Sequence, residues 1–347
     1  MQTFKIGEKK VGNNEPCFII AEAGSNHNGR LDHAKKLIDE AIKAGADAVK
    51  FQLFKAEKLY VKEAGYADYL KDSTSIFQLI KDMELPEEWL GELATYCDKR
   101  DICFLASVFD EESADLLDPY VKAHKIASYE CNHVPLIKHV ARKNKPILIS
   151  TGASEIDEIK EAVDAVGSTH NKKLALLQCT AKYPAPLTAI NVNVIPRFKK
   201  MFNIPIGFSD HSREPFVAPL TAVAIGANIL EKHFTLDNSL PGPDHKFALE
   251  PNELKQMITY IRDVEQVLGS DIKAVIPEER ELYEFAKRAI HAVRAIKKDD
   301  TFTEDNIAIL RPGKIKRGVA PNRFEQILGK KAKRAIQPCE GIKEGDF

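Results

Sequence analysis

The chain has 347 residues, 44% of them hydrophobic and 29% charged, with 50 Lys and Arg against 51 Asp and Glu. That length suits one large barrel-type domain of about 250 residues plus something smaller, and a formal net charge of -1 excludes bulk attraction to nucleic acid or to an acidic membrane surface. Six cysteines (Cys17, Cys97, Cys103, Cys131, Cys179, Cys339) show no CxxC pair, the opening MQTFKIGEKK lacks a signal-peptide core, and no apolar run reaches about 18 residues, so a cytoplasmic chain with reduced thiols and no membrane span is expected.

In chain order, short apolar runs alternate with stretches of helical period. The runs are 17–22 (CFIIAE), 47–51 (DAVKF), 102–107 (ICFLAS), 123–128 (AHKIAS), 146–151 (PILIST), 174–180 (LALLQCT), 204–209 (IPIGFS) and 227–233 (ANILEKH), each reading as a strand buried on both faces. Between them Leu31, Ala34, Ile38, Ala41 and Ile42 share one helical face, as do Leu90, Leu93, Ala94 and Cys97, and Ile156, Ile159, Val163 and Val166. After the last run Leu254, Met257, Ile258, Ile261, Val264 and Leu268 keep the same spacing. Strand then helix, repeated over residues 1–269, predicts an α/β fold of the (β/α)8 TIM-barrel type. An open doubly wound sheet is the rival, but no Gly-rich dinucleotide turn follows the first run. A charged connector follows at 270–288, and residues 289–347 change grammar: β-like runs at 289–296, 307–310 and 333–336 between Asp, Gly and Pro turns predict a small, mostly β domain. So short a tail is marginal alone and is expected to lean on a barrel.

Chemistry in such barrels sits at the C-terminal ends of the strands. The polar residues there are Glu22, Lys50, Gln52, Ser107, Lys125, Ser128, Glu130, Ser150, Thr151, Thr180, Lys182, Ser209, Asp210, His211 and His233, which together define a polar mouth. One histidine alone is usually structural. Two at the ends of neighbouring strands could meet at one divalent ion, with open positions for water and substrate oxygens, as a Lewis-acid site requires. Lys50 and Lys125 inside apolar strands either snorkel to the rim or, with Ser128, Ser150 and Ser209, seat a phosphate or carboxylate. Glu22 is either their salt-bridge partner or an acid/base group. In the loop LPGPDHKF (240–247), Pro241, Gly242 and Pro243 are expected to present Asp244 and His245 toward the mouth, where a carboxylate could accept sugar hydroxyls; an ordinary turn is the plainer alternative.

The motifs FIIAEAGSNHNG, GADAVKFQ, KIASYE, ISTGA, QCTAKYP, GFSDHS, LEKHF, PGPDHKFALEP and ILRPG occur in the order and spacing of the sialic acid synthase family, which this chain resembles along essentially its whole length, including a tail similar to the antifreeze-like SAF domain of those enzymes. The resemblance implies condensation of phosphoenolpyruvate with an N-acylated amino sugar, N-acetylmannosamine or a bacterial diacetamido-trideoxyhexose, to a nine-carbon 2-keto acid plus phosphate. It implies His211 and His233 as ligands of Mn2+ or Mg2+, and Lys50, Lys125, Ser128, Ser150 and Ser209 as the phosphoenolpyruvate site. Glu22, Gln52, Glu130, Tyr183 and Asp244 would lie around the sugar and the reacting carbons, with Glu22 the proton-transfer group. Arg311 would reach the active site of a second subunit in a domain-swapped homodimer. The chain departs from the family at Ala181, where Asn or Ser is common, which removes a side-chain hydrogen bond unless Lys182 compensates. It also has SYE at 128–130 where synthases using N-acetylmannosamine have SGE; an aromatic residue there is more usual in synthases for bacterial diamino sugars. A non-catalytic sugar-binding homologue and a 3-deoxy-sugar-acid synthase acting on a phosphorylated aldose are the competing readings. The second of these should need another phosphate site.

Overall fold

The computed structural model describes residues 2–66 and 75–347. An antiparallel hairpin, β1 (Phe4–Ile6) and β2 (Lys9–Val11), opens the chain. Eight strands follow: β3 (Phe18–Gly24), β4 (Ala48–Leu53), β5 (Cys103–Val108), β6 (His124–Ile126), β7 (Ile147–Ser150), β8 (Leu174–Cys179), β9 (Ile206–Asp210) and β10 (Ile229–His233). They are parallel and close as a barrel in the order β10-β3-β4-β5-β6-β7-β8-β9, so the barrel prevails over the open sheet. The connections carry α1 (Leu31–Ala44), α2 (Ala56–Leu59), α3 (Ile76–Asp82), α4 (Leu90–Asp98), α5 (Glu111–Leu117), α6 (Val134–Arg142), α7 (Ile156–Gly167), α8 (Val194–Phe202) and α9 (Val217–Ala224), and α10 (Pro251–Leu268) follows the last strand. Local chemistry sets several starts. Asp110 accepts the Ser113 amide at 2.9 Å to cap α5, and Pro135 sits in the first turn of α6, where its missing N–H is not needed.

Alternation along the strands divides the core in two. Residues facing outward, among them Ile19, Val49, Phe104, Ile147, Leu176, Phe208 and Leu230, pack under the helices. Those facing inward, Phe18, Ile20, Ala48, Leu105, Leu148, Ala175, Leu177 and Ile229, fill the lower barrel together with Phe4, Ile6 and Val11 of the hairpin, which floors it. Above this apolar plug the inward positions turn polar, and the two imidazole-bearing runs end there. The fourth run ends earlier than its apolar pattern predicts: β6 stops at Ile126 and Ser128–Glu130 turn as a 3-10 helix.

The chain divides into two compact units, Met1–Gly269 and Ser270–Phe347. In the second, α11 (Arg280–Ala286) precedes an antiparallel pair, β11 (Ala289–Ala292) and β12 (Ile307–Leu310), and α12 (Phe324–Ile327) follows. Its core is Ile290, Ile296, Phe302, Ile307, Ile327, Ile336 and Ile342. The run at 333–336 is not a strand: it makes one bridge, Ile296 to Ile336, and the Lys333 amide bonds Asp346 instead. Among the described residues no helix is long and apolar enough to cross a membrane.

Candidate active site

The register gathers the polar strand ends. Glu22 of β3 stands beside Lys50 of β4, and His233 of β10 beside Glu22. Lys50 Nζ lies 2.8 Å from Glu22 Oε2 and donates to Ser107 Oγ at 2.9 Å, while Gln52 Nε2 donates to Glu22 Oε1 at 3.0 Å. Lys125 Nζ donates to Ser150 Oγ at 2.6 Å and to the Ile126 carbonyl at 2.9 Å. Between the lysines lies a carboxylate that reasoning from the sequence did not single out. Glu231 is 3.7 Å from Lys50 and 4.0 Å from Lys125, and it accepts from Ser209 Oγ at 3.0 Å. Its signal was the period-2 alternation of ILEKH, which puts Glu231 and His233 on one face and Lys232 on the other.

Lysines and carboxylates are all buried, so each ionisation follows from its partners. Burial pushes the Glu22 carboxyl up to about 7 against the pull of Lys50. It also pushes Glu231 up, but there Lys125 and Lys50 outweigh it and hold the carboxyl below its usual range. Burial works against the charge on Lys50, yet Glu22 and Glu231 overcome it and raise that lysine; Lys125, less well paired, stays lowered by burial. Glu130 has a buried Oε2 without a hydrogen bond, and burial raises its carboxyl to about 7.

His211 and His233 come together with ring centroids 5.4 Å apart. The His211 Nδ1 faces the Thr180 carbonyl at 2.9 Å, which assigns its proton there and leaves the lone pair on Nε2, 3.7 Å from Cys179 Sγ. Buried His233 Nδ1 has no hydrogen-bond partner, with Asp244 Oδ2 3.7 Å away. Burial lowers His211 to about 4 and His233 well below its ordinary value, so both are neutral imidazoles, the form that binds a cation. Among the described residues no three His, Cys, Asp or Glu side chains converge on a metal position. Two neutral imidazoles side by side are nonetheless a donor pair that could hold a divalent ion, with its other positions left to water or substrate oxygens. Tyr183 stacks on His211 with centroids 4.2 Å apart, and Phe247 packs against both Tyr183 and His233.

Other expected residues fall differently. Ser128 accepts the Gly152 amide at 3.1 Å, Thr151 and Thr180 donate to backbone carbonyls, and Lys182 is exposed beside half-buried Ala181. Asp210 does not face the mouth. Its side chain points to the helical side, where Lys232 Nζ sits 2.6 Å from Oδ2. Asp244 does reach the mouth: a Cβ on Gly24, whose φ of +52 favours glycine, would lie 3.3 Å from Asp244 Oδ2 and 3.5 Å from Gln52 Nε2. His245 does not, being buried under the loop. Arg311 follows β12 in the second unit and is exposed.

The model of the NeuB family matches residues 37–273, and that of the SAF domain matches residues 287–347. The chain belongs to the NeuB family. It is 46% identical to the spore coat polysaccharide biosynthesis protein SpsE of Bacillus subtilis over 99% of this chain and 96% of that one, and the crystal structure of SpsE superposes with a TM-score of 0.69 over 99% of both. It is 40% identical to the N,N'-diacetyllegionaminic acid synthase of Campylobacter jejuni over 94% of this chain and 99% of the other, and 34% identical to that organism's pseudaminic acid synthase over 97% and 99%. The NeuB family member described here thus has relatives that are nonulosonic acid synthases, and its second unit is a SAF domain.

Proposed function

We propose that this NeuB-family chain condenses phosphoenolpyruvate with the open-chain form of an N-acylated amino sugar, releasing phosphate and a nine-carbon 2-keto sugar acid. The observation that carries the reading is the stacking of two layers in one mouth: a cationic cradle of Lys50 and Lys125 below, and the imidazole pair His211 and His233 above, 5.4 Å apart. A cradle of buried ammonium groups with Ser150, Ser209 and Ser128 hydroxyls suits the phosphate and carboxylate of the enol phosphate. Glu231, wedged between the lysines, offsets their charge while the site is open and keeps them apart by two ion pairs. His211 and His233 would hold Mn2+ or Mg2+, which would supply Lewis-acid polarisation of the sugar aldehyde oxygen.

In the reaction so proposed, C3 of the enol phosphate attacks the aldehyde carbon, water adds to the resulting cation at C2, and the tetrahedral intermediate expels phosphate by C–O cleavage. Glu22, its carboxyl pushed up to about 7 by burial, takes one proton of the water as its oxygen adds at C2 and returns it to the aldehyde-derived oxygen, while the other proton leaves with the phosphate as the C2 carbonyl forms. Gln52 orients that carboxylate through its hydrogen bond at 3.0 Å. Asp244 and Glu130 accept hydroxyl hydrogen bonds from the sugar, and the Tyr183 ring forms a flat wall over His211. The fixed groups act chiefly by positioning and electrostatics. A diacetamido-trideoxyhexose is the acceptor favoured here, on the strength of exposed Tyr129 at the rim and the 40% identical diacetyllegionaminic acid synthase. Arg311 of the partner subunit completes the mouth in a domain-swapped homodimer. That arrangement gives a reason for the apolar side chains Ile272, Leu282 and Ile315, which the isolated chain leaves exposed on its second unit.

Purified full-length protein with Mn2+, phosphoenolpyruvate and a panel of N-acyl hexosamines, N-acetylmannosamine and a diacetamido-trideoxyhexose included, should release inorganic phosphate with at least one sugar. Chelation should abolish that release and Mn2+ restore it. Binding of phosphoenolpyruvate without phosphate release from any sugar would sink the reading.

A further inference from the structure

The two loops that begin at β3 and β10 were each singled out by sequence, as GSNHNG and PGPDHKF, and the reaction above uses only Asp244 from them. The rest of their polar side chains meet each other. His245 is fully buried at 0% exposure, and both of its ring nitrogens are engaged: Nδ1 lies 2.5 Å from Thr235 Oγ1, and Nε2 lies 3.1 Å from Asn28 Oδ1. Because the Asn28 oxygen can only accept, Nε2 carries the proton and Nδ1 receives the Thr235 hydroxyl, a neutral imidazole with every polar atom satisfied. The carbonyl of His245 accepts from Asn238 Nδ2 at 2.5 Å. Above the ring, Gly242 has a φ of +136, and a Cβ there would come within 2.8 Å of His245 Cδ2, so the backbone lies directly on the imidazole. On the other side Asn26 Nδ2 donates to the Phe234 carbonyl at 2.8 Å, a second tie between the same two loops.

We propose that His245 is a positioning residue: it clamps the β10–α10 loop to the β3–α1 loop through Asn28 and Thr235, and by that clamp holds the neighbouring Asp244 carboxylate over the mouth. Asp244 is the only one of the two adjacent residues that faces the cavity, and its place there depends on the loop being pinned one residue away. The effect on the acceptor sugar rests on the condensing reaction proposed above; the clamp itself does not.

The chain contains 1 tryptophan, Trp89, whose ring meets His27 edge-on with centroids 5.7 Å apart, so its emission reports on the β3–α1 loop without any substrate. In the full-length enzyme, His245→Ala and Asn28→Gly are each expected to raise the KM for the sugar about tenfold, from the loss of one or two buried hydrogen bonds. The KM for phosphoenolpyruvate should stay within about twofold, and Trp89 emission should shift. Glycine accepts the left-handed φ of 51 at Asn28, so that variant removes the acceptor without backbone strain. His245→Gln, whose amide nitrogen can replace the Nε2–H, should recover most of the sugar KM. Should His245→Ala fail to fold, Asn28→Gly and His245→Gln carry the test. An unchanged sugar KM in Asn28→Gly, or parallel rises in both KM values without a fluorescence change, overturns the proposal. If the wild type releases phosphate with no sugar, the condensing reading has failed; the emission of Asn28→Gly then decides the clamp, and an unchanged spectrum overturns it.

Discussion

Glu22 and Glu130 are two carboxyls raised to about 7 in one mouth, each chiefly by burial, and they predict different experiments. Glu22 is the proton acceptor of the proposed reaction, so kcat/KM should climb as pH rises through about 7 and level off above it. Glu22→Gln should flatten that limb and lower the rate by roughly 10²–10⁴-fold, measured by phosphate release. For Glu130 the readout is stability. Its folded pKa lies above the ordinary value of 4.5, so its contribution is fully present below 4.5 and is lost as pH rises through about 7. Glu130→Gln, neutral at every pH, should therefore gain on the wild type by roughly 2–3 kcal/mol between pH 5 and pH 8 in urea unfolding. An equal difference at both pH values would show that the carboxyl is not penalised by burial. At this scale much was legible: a polar residue at the end of an apolar run marks a strand end, which identified Glu22, His211 and His233, and a lysine inside such a run marked Lys50 and Lys125. Glu231 was passed over because its run ends Glu-Lys-His, polar on both faces of the strand, so the alternation pairs Glu231 with His233 only once His233 is known to face the cavity. His245 and Asp244 were inseparable in sequence, since which of two adjacent loop residues turns inward depends on Thr235 and Asn28 from distant positions.

Among the elements, β9 and β10 carry the most instructive pair. Their register sets Asp210 opposite Lys232, on the helical side, and the ammonium also donates to the carbonyls of Ser212, at 2.5 Å, and Glu214, at 3.0 Å. The run Ser-Asp-His that ends β9 is thus split by the pleat: Ser209 and His211 serve the cavity, and Asp210 serves the wall. A slip of one residue would exchange the faces and carry both imidazoles out of the barrel, so this ion pair specifies the register more than it adds stability. Lys232→Met alone, which strands a buried carboxylate, should cost about 3–5 kcal/mol in urea unfolding, and adding Asp210→Leu should recover most of it. A single-variant loss below about 1 kcal/mol would show that the pair is dispensable. The eight strands were legible from their apolar runs because burial on both faces needs long apolar sequences, whereas in the SAF domain Lys333 spends its amide on Asp346 and the predicted strand there reduces to one bridge.

For the molecule as a whole, the SAF domain carries more Lys and Arg than Asp and Glu, and the barrel the reverse, a difference in charge that favours the proposed docking of one subunit's tail on the next subunit's barrel. If Arg311 acts across subunits, mixing Arg311→Ala chains with Glu22→Gln chains should restore activity: hetero-dimers contain one barrel with Glu22 that receives an intact Arg311. Random mixing would recover about a quarter of wild-type activity per site. No recovery above the parents would place Arg311 in its own subunit's site or outside any. The floor of the barrel, where Phe4, Ile6 and Val11 meet Ile20, Leu105 and Ile229, has a kinetic consequence. A vessel sealed at its base fills and empties through one opening, so in the proposed reaction whatever occupies the lysine layer must arrive before a sugar bound above it. Initial-rate patterns should show compulsory order, with the enol phosphate first and the sugar second, and a dead-end sugar analogue should trap the enol phosphate beneath it.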